Sequence, residues 1–256
     1  MTHPTPPQSP PPASPPEARI RCEGLQKRFG RAVALSDITL SVAPGQMLGL
    51  IGPGAAGKSL IVKIICGLIK PDAGRAFIDG VEVTSLKEAQ LQALRARVGM
   101  VFQNYALFDF MNVGDNIALP LRMQGGISDS EIRDRVAEIL QKVALPGIEH
   151  KLPSELSGGM KKRVSFARAV IRKPPIVIYD DPTAGLDPVT SAKIFALLQD
   201  MQAAGTTSIT ISHDLDGIRP LCDAWALIDH GRLVFQGSTA AFGASEHPLA
   251  RAFWRG

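Results

Sequence analysis

Residues 52–59 read GPGAAGKS, with glycines at 52 and 57, a lysine at 58 and a hydroxyl at 59. Glycine lets the main chain wrap its N–H groups inward around a run of phosphates, and the N-terminus of a following helix adds favourable partial charge. In this spacing the Lys58 ammonium reaches the β- and γ-phosphates and the Ser59 hydroxyl ligates Mg²⁺. The candidate contacts are Gly52, Pro53, Gly54, Ala55, Ala56, Gly57, Lys58, Ser59 and Leu60. Read alone, the stretch is a glycine turn carrying a surface lysine. Its place between an apolar run, Met47–Ile51, and the apolar-rich LIVKIICGLI argues for the phosphate loop.

A second stretch, IVIYDDPTAGLD from Ile176 to Asp187, leads a mostly apolar run into two adjacent carboxylates, Asp180 and Asp181. A buried strand that ends in two negative charges needs a counter-charge. Mg²⁺ held opposite Ser59 supplies it: Asp180 binds the metal, directly or through water, and Asp181 polarises an attacking water. Without the glycine loop the pair reads instead as a solvated strand end, or as a cap on the Thr183–Gly185 turn. A third stretch, Ser212-His213-Asp214, has the residue types of a hydrolytic triad. Consecutive residues of a strand point to opposite faces, so the three are not expected to converge.

The chain has 256 residues, 45% of them hydrophobic and 20% charged. That is an ordinary globular composition, long enough for one large domain or a core with an inserted subdomain. A net charge of +4 suits an anionic small ligand or the neighbourhood of an anionic bilayer. The dense Lys/Arg runs of a nucleic-acid binder are missing. Cys22, Cys66 and Cys222 are far apart and odd in number; with no CxxC or Cys/His spacing they read as reduced cytosolic thiols. No stretch reaches the roughly 18 apolar residues of a membrane span. Residues 1–18, MTHPTPPQSPPPASPPEA, lack the basic and apolar regions of a signal peptide. They read as a disordered, Pro-rich tail, with a PxxP ligand as the alternative.

These residues need elements to position them. IRCEGLQKRFG and VALSDITLSV carry strand residues about a glycine turn. Met47–Ile51, the glycine loop and the apolar run after it make strand, loop and helix. AFIDG reads as a further strand, followed by a capping box of Ser85 and Glu88 for LKEAQLQALRARV and by the strand VGMVFQ. Between about 104 and 172 the pattern turns helical and looks like an insertion. There Ser128 and Glu131 make a second capping box, and Ile132, Val136, Ile139, Leu140 and Val143 share one helical face. Ser157 opens a helix with Val164, Ala167 and Ile171 at helical spacing. Alternation then returns with IVIYD, a helix started at Asp187-Pro188 and closed by Gly205, and the strands TSITIS, AWALID and RLVFQG. Strands alternating with helices place the chain in the α/β class with a mostly parallel sheet.

LSGGM (Leu156–Met160), the aspartate pair with PTAGLDP after it, ISHD (Ile211–Asp214) and VFQNYALF upstream occur in a fixed order. The set resembles the ATPase subunit of an ABC transporter over about residues 20 to 240. That resemblance implies a P-loop NTPase core with an N-terminal antiparallel β part and an inserted helical subdomain, all within residues 19–256. It implies ATP and Mg²⁺ as cofactors, with Phe29 stacking on adenine and Gln103 near Mg²⁺ at the joint with the helical insertion. Ser157, Gly158 and Gly159 would reach the γ-phosphate of the nucleotide held by the other subunit, Asp187 would lie at that dimer interface, and His213 would touch the γ-phosphate. Lys58, Gln103, Asp181 and His213 are the catalytic candidates, and Ser59, Gln103 and Asp180 the metal candidates. The implied unit is a homodimer bound to an integral membrane permease, peripheral on the cytoplasmic face of the inner membrane, with no nucleic-acid partner.

Within that family, Met160 replaces the usual Gln. FQNYALFDFMNVGDNIALPLR and LPSELSGGMKKRVSFARA look like the ATPase of Mla/Mce-type systems. This finer resemblance implies phospholipid or related lipid cargo, an MCE-domain lipid-binding protein and a small STAS-type accessory protein. The alternatives are another small-molecule cargo, a slowly hydrolysing regulatory subunit, or a non-transport ABC protein acting on ribosomes or DNA. That last class usually has tandem cassettes or a long coiled coil.

The chain also departs from the family pattern. Gly54 and Ala55 stand where Ser-Gly is usual, and Ala55 is restricted if that position needs a positive φ. Leu60 replaces a second hydroxyl, and Asp181 replaces the usual Glu. One methylene fewer draws the carboxylate back by about 1.5 Å, and misplacement on that scale costs on the order of 10²-fold in rate.

Overall fold

The computed structural model describes residues 18–102 and 104–255. The Pro-rich tail through residue 17, and Gln103, lie outside the described residues.

Two long strands open the fold, β1 (Ile20–Phe29) and β2 (Ala32–Val42), paired antiparallel. After β3 (Met47–Ile51) and helix α1 (Lys58–Ile65), β4 (Ala73–Ile78) and β5 (Val81–Glu82) complete a four-stranded sheet ordered β2-β1-β4-β5. AFIDG therefore belongs to this antiparallel sheet and not to the parallel alternation, because β4 returns alongside β1. Helix α2 (Glu88–Arg95) starts later than its expected capping box. Ser85 ends a 3₁₀ turn (Val83–Ser85) and donates to the Glu82 carbonyl, so Gln90 Oε1 instead accepts the Lys87 N–H at 3.1 Å.

The chain continues through β6 (Val98–Val101), α3 (Val113–Gln124), α4 (Asp129–Lys142), α5 (Gly158–Val170) and β7 (Ile176–Asp180). Then follow α6 (Pro188–Ala203), β8 (Thr207–Ile211), α7 (Leu215–Ile218), β9 (Ala224–Asp229), β10 (Arg232–Ser238), α8 (Thr239–Gly243) and α9 (Pro248–Arg255). The second sheet has six strands ordered β10-β9-β3-β8-β7-β6. Its strands are parallel except β10, which pairs antiparallel with β9. Parallel strands bring their carboxyl ends to one edge, where ligands of such sheets bind. Here that edge holds the loop after β3 and the ends of β7 and β8, with β8 between the other two.

Side chains alternate across this sheet, so its two faces bury different clusters. Ile176 and Ile178 pack with Ile61, Ile64 and Ile65 of α1 and with Leu25 and Ile38 of the antiparallel sheet. Val177 and Tyr179 face the other way, onto Phe166, Val164 and Leu198. Each fully buried side chain of this size contributes about 1.5–3 kcal/mol. Asp180 continues the Ile176–Ile178 face, which turns it toward α1. The helices between β6 and β7 have no separate core: Val113, Ile117, Leu121, Val136 and Leu140 share one cluster with Tyr179 and Trp225. Of the expected α4 face, Ile132, Val136, Leu140 and Val143 are buried and Ile139 only partly so.

Caps set the helix starts. Ser128 accepts the Glu131 N–H at 3.3 Å and Ser157 accepts that of Met160 at 3.3 Å. Pro188 occupies the first turn of α6, and Gly205, at φ +86°, closes it. The sequence gives no clear signal for α8 and α9, which are short. They are held by aromatic packing, with the Phe242 ring 5.5 Å from Trp225 and 5.8 Å from Trp254. Among the described residues no helix is long and apolar enough to cross a membrane.

Candidate nucleotide site

The loop after β3 is built on two glycines that no other residue replaces. Gly52 sits at φ +148°, and a Cβ there would fall 2.0 Å from the Ile228 carbonyl oxygen. Gly57 sits at φ +103°, with Leu35 Cδ2 2.6 Å from where its Cβ would be. Ala55 also adopts a positive φ, +59°, so the restriction expected for an alanine applies; the left-handed region costs an L-residue about 1–2 kcal/mol. Ala56 is buried, its N–H donating to Pro53 O at 3.3 Å and its carbonyl accepting from Gly231 N at 3.2 Å. Pro53 and Gly54 are exposed at the loop's tip.

Lys58 is not a surface lysine. It is 8% exposed, and its Nζ donates to Gly52 O at 2.7 Å and to Pro53 O at 2.8 Å. Burial lowers its pKa, against the pull of the Asp180 and Asp181 carboxylates. Ser59 Oγ donates to Asp180 Oδ1 at 3.2 Å. Leu60 packs half-buried against the cluster under α1 and brings no hydroxyl to the loop.

Asp180 and Asp181 are 5% and 7% exposed, so the solvated strand end is excluded. Burial raises the Asp180 pKa, with the Ser59 hydrogen bond opposing it. The Lys63 and Lys58 ammonium groups also oppose the rise. Ser59 and Asp180 form a two-oxygen corner beside the phosphate loop. This fits Mg²⁺, which keeps several waters and takes one or two carboxylates plus substrate phosphates. Asp181 has φ +58°, its N–H donates to Ile211 O at 2.8 Å, and its carbonyl accepts from Lys162 Nζ at 2.8 Å. Aspartate is one of the few non-glycine residues that enter the left-handed region readily, a physical reason for Asp here in place of Glu.

His213 is exposed in the loop beyond β8 and lines, with Asp181, a cavity of about 540 Å³. Thr183, Gly185, Phe195 and Asp214 also line it. The structure corrects the premise used against a triad. β8 ends at Ile211, so Ser212, His213 and Asp214 lie in a loop and do not alternate as strand residues. They still form no triad: Ser212 Oγ accepts from Asp214 N at 3.0 Å, and Asp214 Oδ1 caps α7 by accepting from Gly217 N at 3.0 Å.

The remaining candidates lie on other elements. Phe29 ends β1 with its side chain 56% exposed, and Lys27 Nζ is 5.6 Å from its ring centre. Ser157 and Gly158 are exposed at the start of α5. No hydrogen bond among the described residues joins Ser157, Gly158 or Gly159 to Lys58, Ser59 or Asp180. Gly158 lies against the Tyr105 hydroxyl and Gly159 against Leu186, where added Cβ atoms would sit at 3.0 and 3.1 Å. Asp187 serves as the N-cap of α6, taking the Thr190 N–H at 2.9 Å and the Thr190 hydroxyl at 2.6 Å. These bonds hold its carboxyl below the usual range. Sequence reasoning missed Lys162, which is 3% exposed and bonded to the Asp181 and Ala184 carbonyls. Its helical spacing from Phe166 hinted at burial, but not at these partners.

Comparison with known proteins gives this arrangement its family. A family model described as ABC transporter matches residues 35–184. The methionine import ATP-binding protein MetN of Mesorhizobium japonicum is 42% identical over 219 residues, 85% of this chain and 60% of that protein. MetN 2 of Pseudomonas aeruginosa is 41% identical over 227 residues, 88% of this chain and 68% of its own length. The chain thus spans about 60% of the first of these relatives. Among solved structures, a dimeric ATP-binding cassette in a post-hydrolysis state bound to ADP and Pi superposes with a TM-score of 0.82 at 30% identity, covering 86% of this chain and 98% of that one. The chain belongs to the ABC transporter family.

Proposed function

We propose that this chain binds ATP with Mg²⁺ and hydrolyses the nucleotide to drive a separate membrane permease. The observation that carries the reading is the corner made by Ser59 and Asp180, with the buried Lys58 ammonium in the loop beside it and Asp181 next in sequence. The loop N–H groups and Lys58 hold the phosphate chain, and Phe29 offers a ring to the adenine. Mg²⁺ at Ser59 and Asp180, with Gln103 as a further candidate ligand, would neutralise charge on the phosphate oxygens. Asp181 aligns a water with the γ-phosphate for in-line attack, and His213, across the same cavity, contacts that phosphate. Positioning and electrostatics account for most of the catalysis in such a reaction. Ser157 and Gly158, exposed at the start of α5, with Gly159 beside them, would serve the nucleotide of a second copy, with Asp187 near that interface. The dimeric state of the solved relative supports this reading.

The permease meets the helices between β6 and β7. Asn116, fully buried, ties the Phe108, Met111 and Asn112 carbonyls together, which accounts for part of the ALFDFMNV segment as local packing. Phe108, Phe110 and Met123 remain 41%, 77% and 80% exposed, beside a groove of about 870 Å³ that Phe102, Phe108 and Met123 help to line. Apolar exposure of this kind marks a partner surface.

Two cargo classes follow from two observations. Relatives named as methionine import ATP-binding proteins, at 41% and 42% identity, support a small-molecule cargo of amino-acid size. Met160 and the ALFDFMNV segment support the lipid reading, with an MCE-domain protein and a STAS-type protein as further partners. Capture of the tagged chain from detergent extracts separates them. An amino-acid permease establishes the first and a permease with an MCE-domain protein the second. Recovery of ribosomes with no permease would overturn the transport reading itself.

A further inference from the structure

Lys162 stands four residues beyond Gly158 on α5 and is nearly sealed from solvent. Its ammonium donates to Asp181 O at 2.8 Å and to Ala184 O at 2.8 Å, the two ends of the turn that follows β7. From the other side, the Asp181 N–H donates to Ile211 O of β8 at 2.8 Å. The main chain of Asp181 is thus gripped at its amide by a strand and at its carbonyl by a helix, in a left-handed conformation at φ +58°. With both flanking peptides fixed, the Cα–Cβ direction is fixed too. Aspartate keeps few further torsions, so the placement of its carboxylate follows the backbone.

We infer that Lys162 is a positioning residue for hydrolysis: through the Asp181 and Ala184 carbonyls it sets the direction in which Asp181 presents its carboxylate. The inference rests on the hydrolytic reading above. Burial lowers the Lys162 pKa while the Asp181 and Asp180 carboxylates act to raise it, so the ammonium belongs to the same electrostatic cluster as the site. The same helix begins with Ser157, Gly158 and Gly159. Lys162 therefore links the helix that opens with these residues to the Asp181 backbone.

The test uses the purified full chain with ATP and Mg²⁺, with turnover and nucleotide binding measured separately. Lys162→Met keeps the stem and removes every donor. Lys162→Gln keeps two N–H donors on a stem one atom shorter. A shift on the order of 1 Å in a reacting group costs up to about 100-fold. Lys162→Met should therefore lose at least about tenfold in kcat and Lys162→Gln about threefold or more, with KM for ATP and bound nucleotide within about twofold of wild type. Wild-type kcat in Lys162→Gln overturns the inference even if Lys162→Met does not fold. Parallel loss of kcat and bound nucleotide also overturns it, because that is what a purely structural lysine would give. A wild-type chain no faster than Lys58→Ala would remove the hydrolytic reading, and the inference with it.

Discussion

Ser59 Oγ lies 3.2 Å from Asp180 Oδ1, although 121 residues separate them in sequence. The sheet order explains the meeting. β3 and β7 are parallel and one strand apart, so the loop leaving β3 and the last residue of β7 reach the same edge. Alternation along β7 then turns Asp180 toward α1 and its first-turn hydroxyl.

Lys58→Ala should abolish ATP turnover and weaken ATP binding. A hydrogen bond to a charged group is worth about 1.5–3 kcal/mol, or roughly ten- to 100-fold in affinity. Titration with a fluorescent ATP analogue reads the binding loss. Wild-type affinity and turnover in the variant would remove Lys58 from the phosphate site.

Ala55→Gly should stabilise the protein. The position holds φ +59°, where alanine is strained by about 1–2 kcal/mol, and glycine's greater unfolded-state freedom offsets about 0.4–1 kcal/mol of the gain. A net gain of about 1 kcal/mol raises the melting temperature of a chain this size by about 2–4 °C. Thermal unfolding by circular dichroism checks it; a lower midpoint would mean that the loop relieves the strain in another way.

Asp187 supplies a pH-dependent contribution to α6. Its folded pKa is depressed by the Thr190 hydroxyl and N–H. Its stabilisation is therefore present above the unfolded value of about 3.9 and lost as pH falls through the lower folded value. Asp187→Ala should melt below wild type at neutral pH, and the gap should narrow on acidification. Melting curves from pH 7 to 3 test this, and a gap that does not change with pH counts against the cap.

Much of this was legible because the chemistry sits in contiguous motifs. GPGAAGKS carries its own glycine requirements, and Ser128, Ser157 and Asp187 mark helix starts by local hydrogen bonding that a short window contains. What the sequence hid was non-local. The position of β4 beside β1 depends on pairing with a distant strand, and a strand pattern is the same in either sheet. The displaced start of α2 came from a 3₁₀ turn that takes Ser85. The end of β8 before His213 was missed because TSITIS reads as strand to its last residue. Lys162 has meaning only once α5 packs beside the turn after β7.

The central claim is that Asp181 acts on the attacking water. Steady-state ATP turnover of Asp181→Asn and Asp181→Glu against wild type tests it most directly. The amide keeps shape but loses charge and basicity, so Asp181→Asn should all but stop hydrolysis while ATP stays bound. Glutamate restores about 1.5 Å of reach, so Asp181→Glu should turn over faster. It should also melt slightly lower, since glutamate enters the left-handed region less readily than aspartate. Turnover at the wild-type rate in Asp181→Asn would contradict the account, because Asp181 would then not be the group that acts on the attacking water.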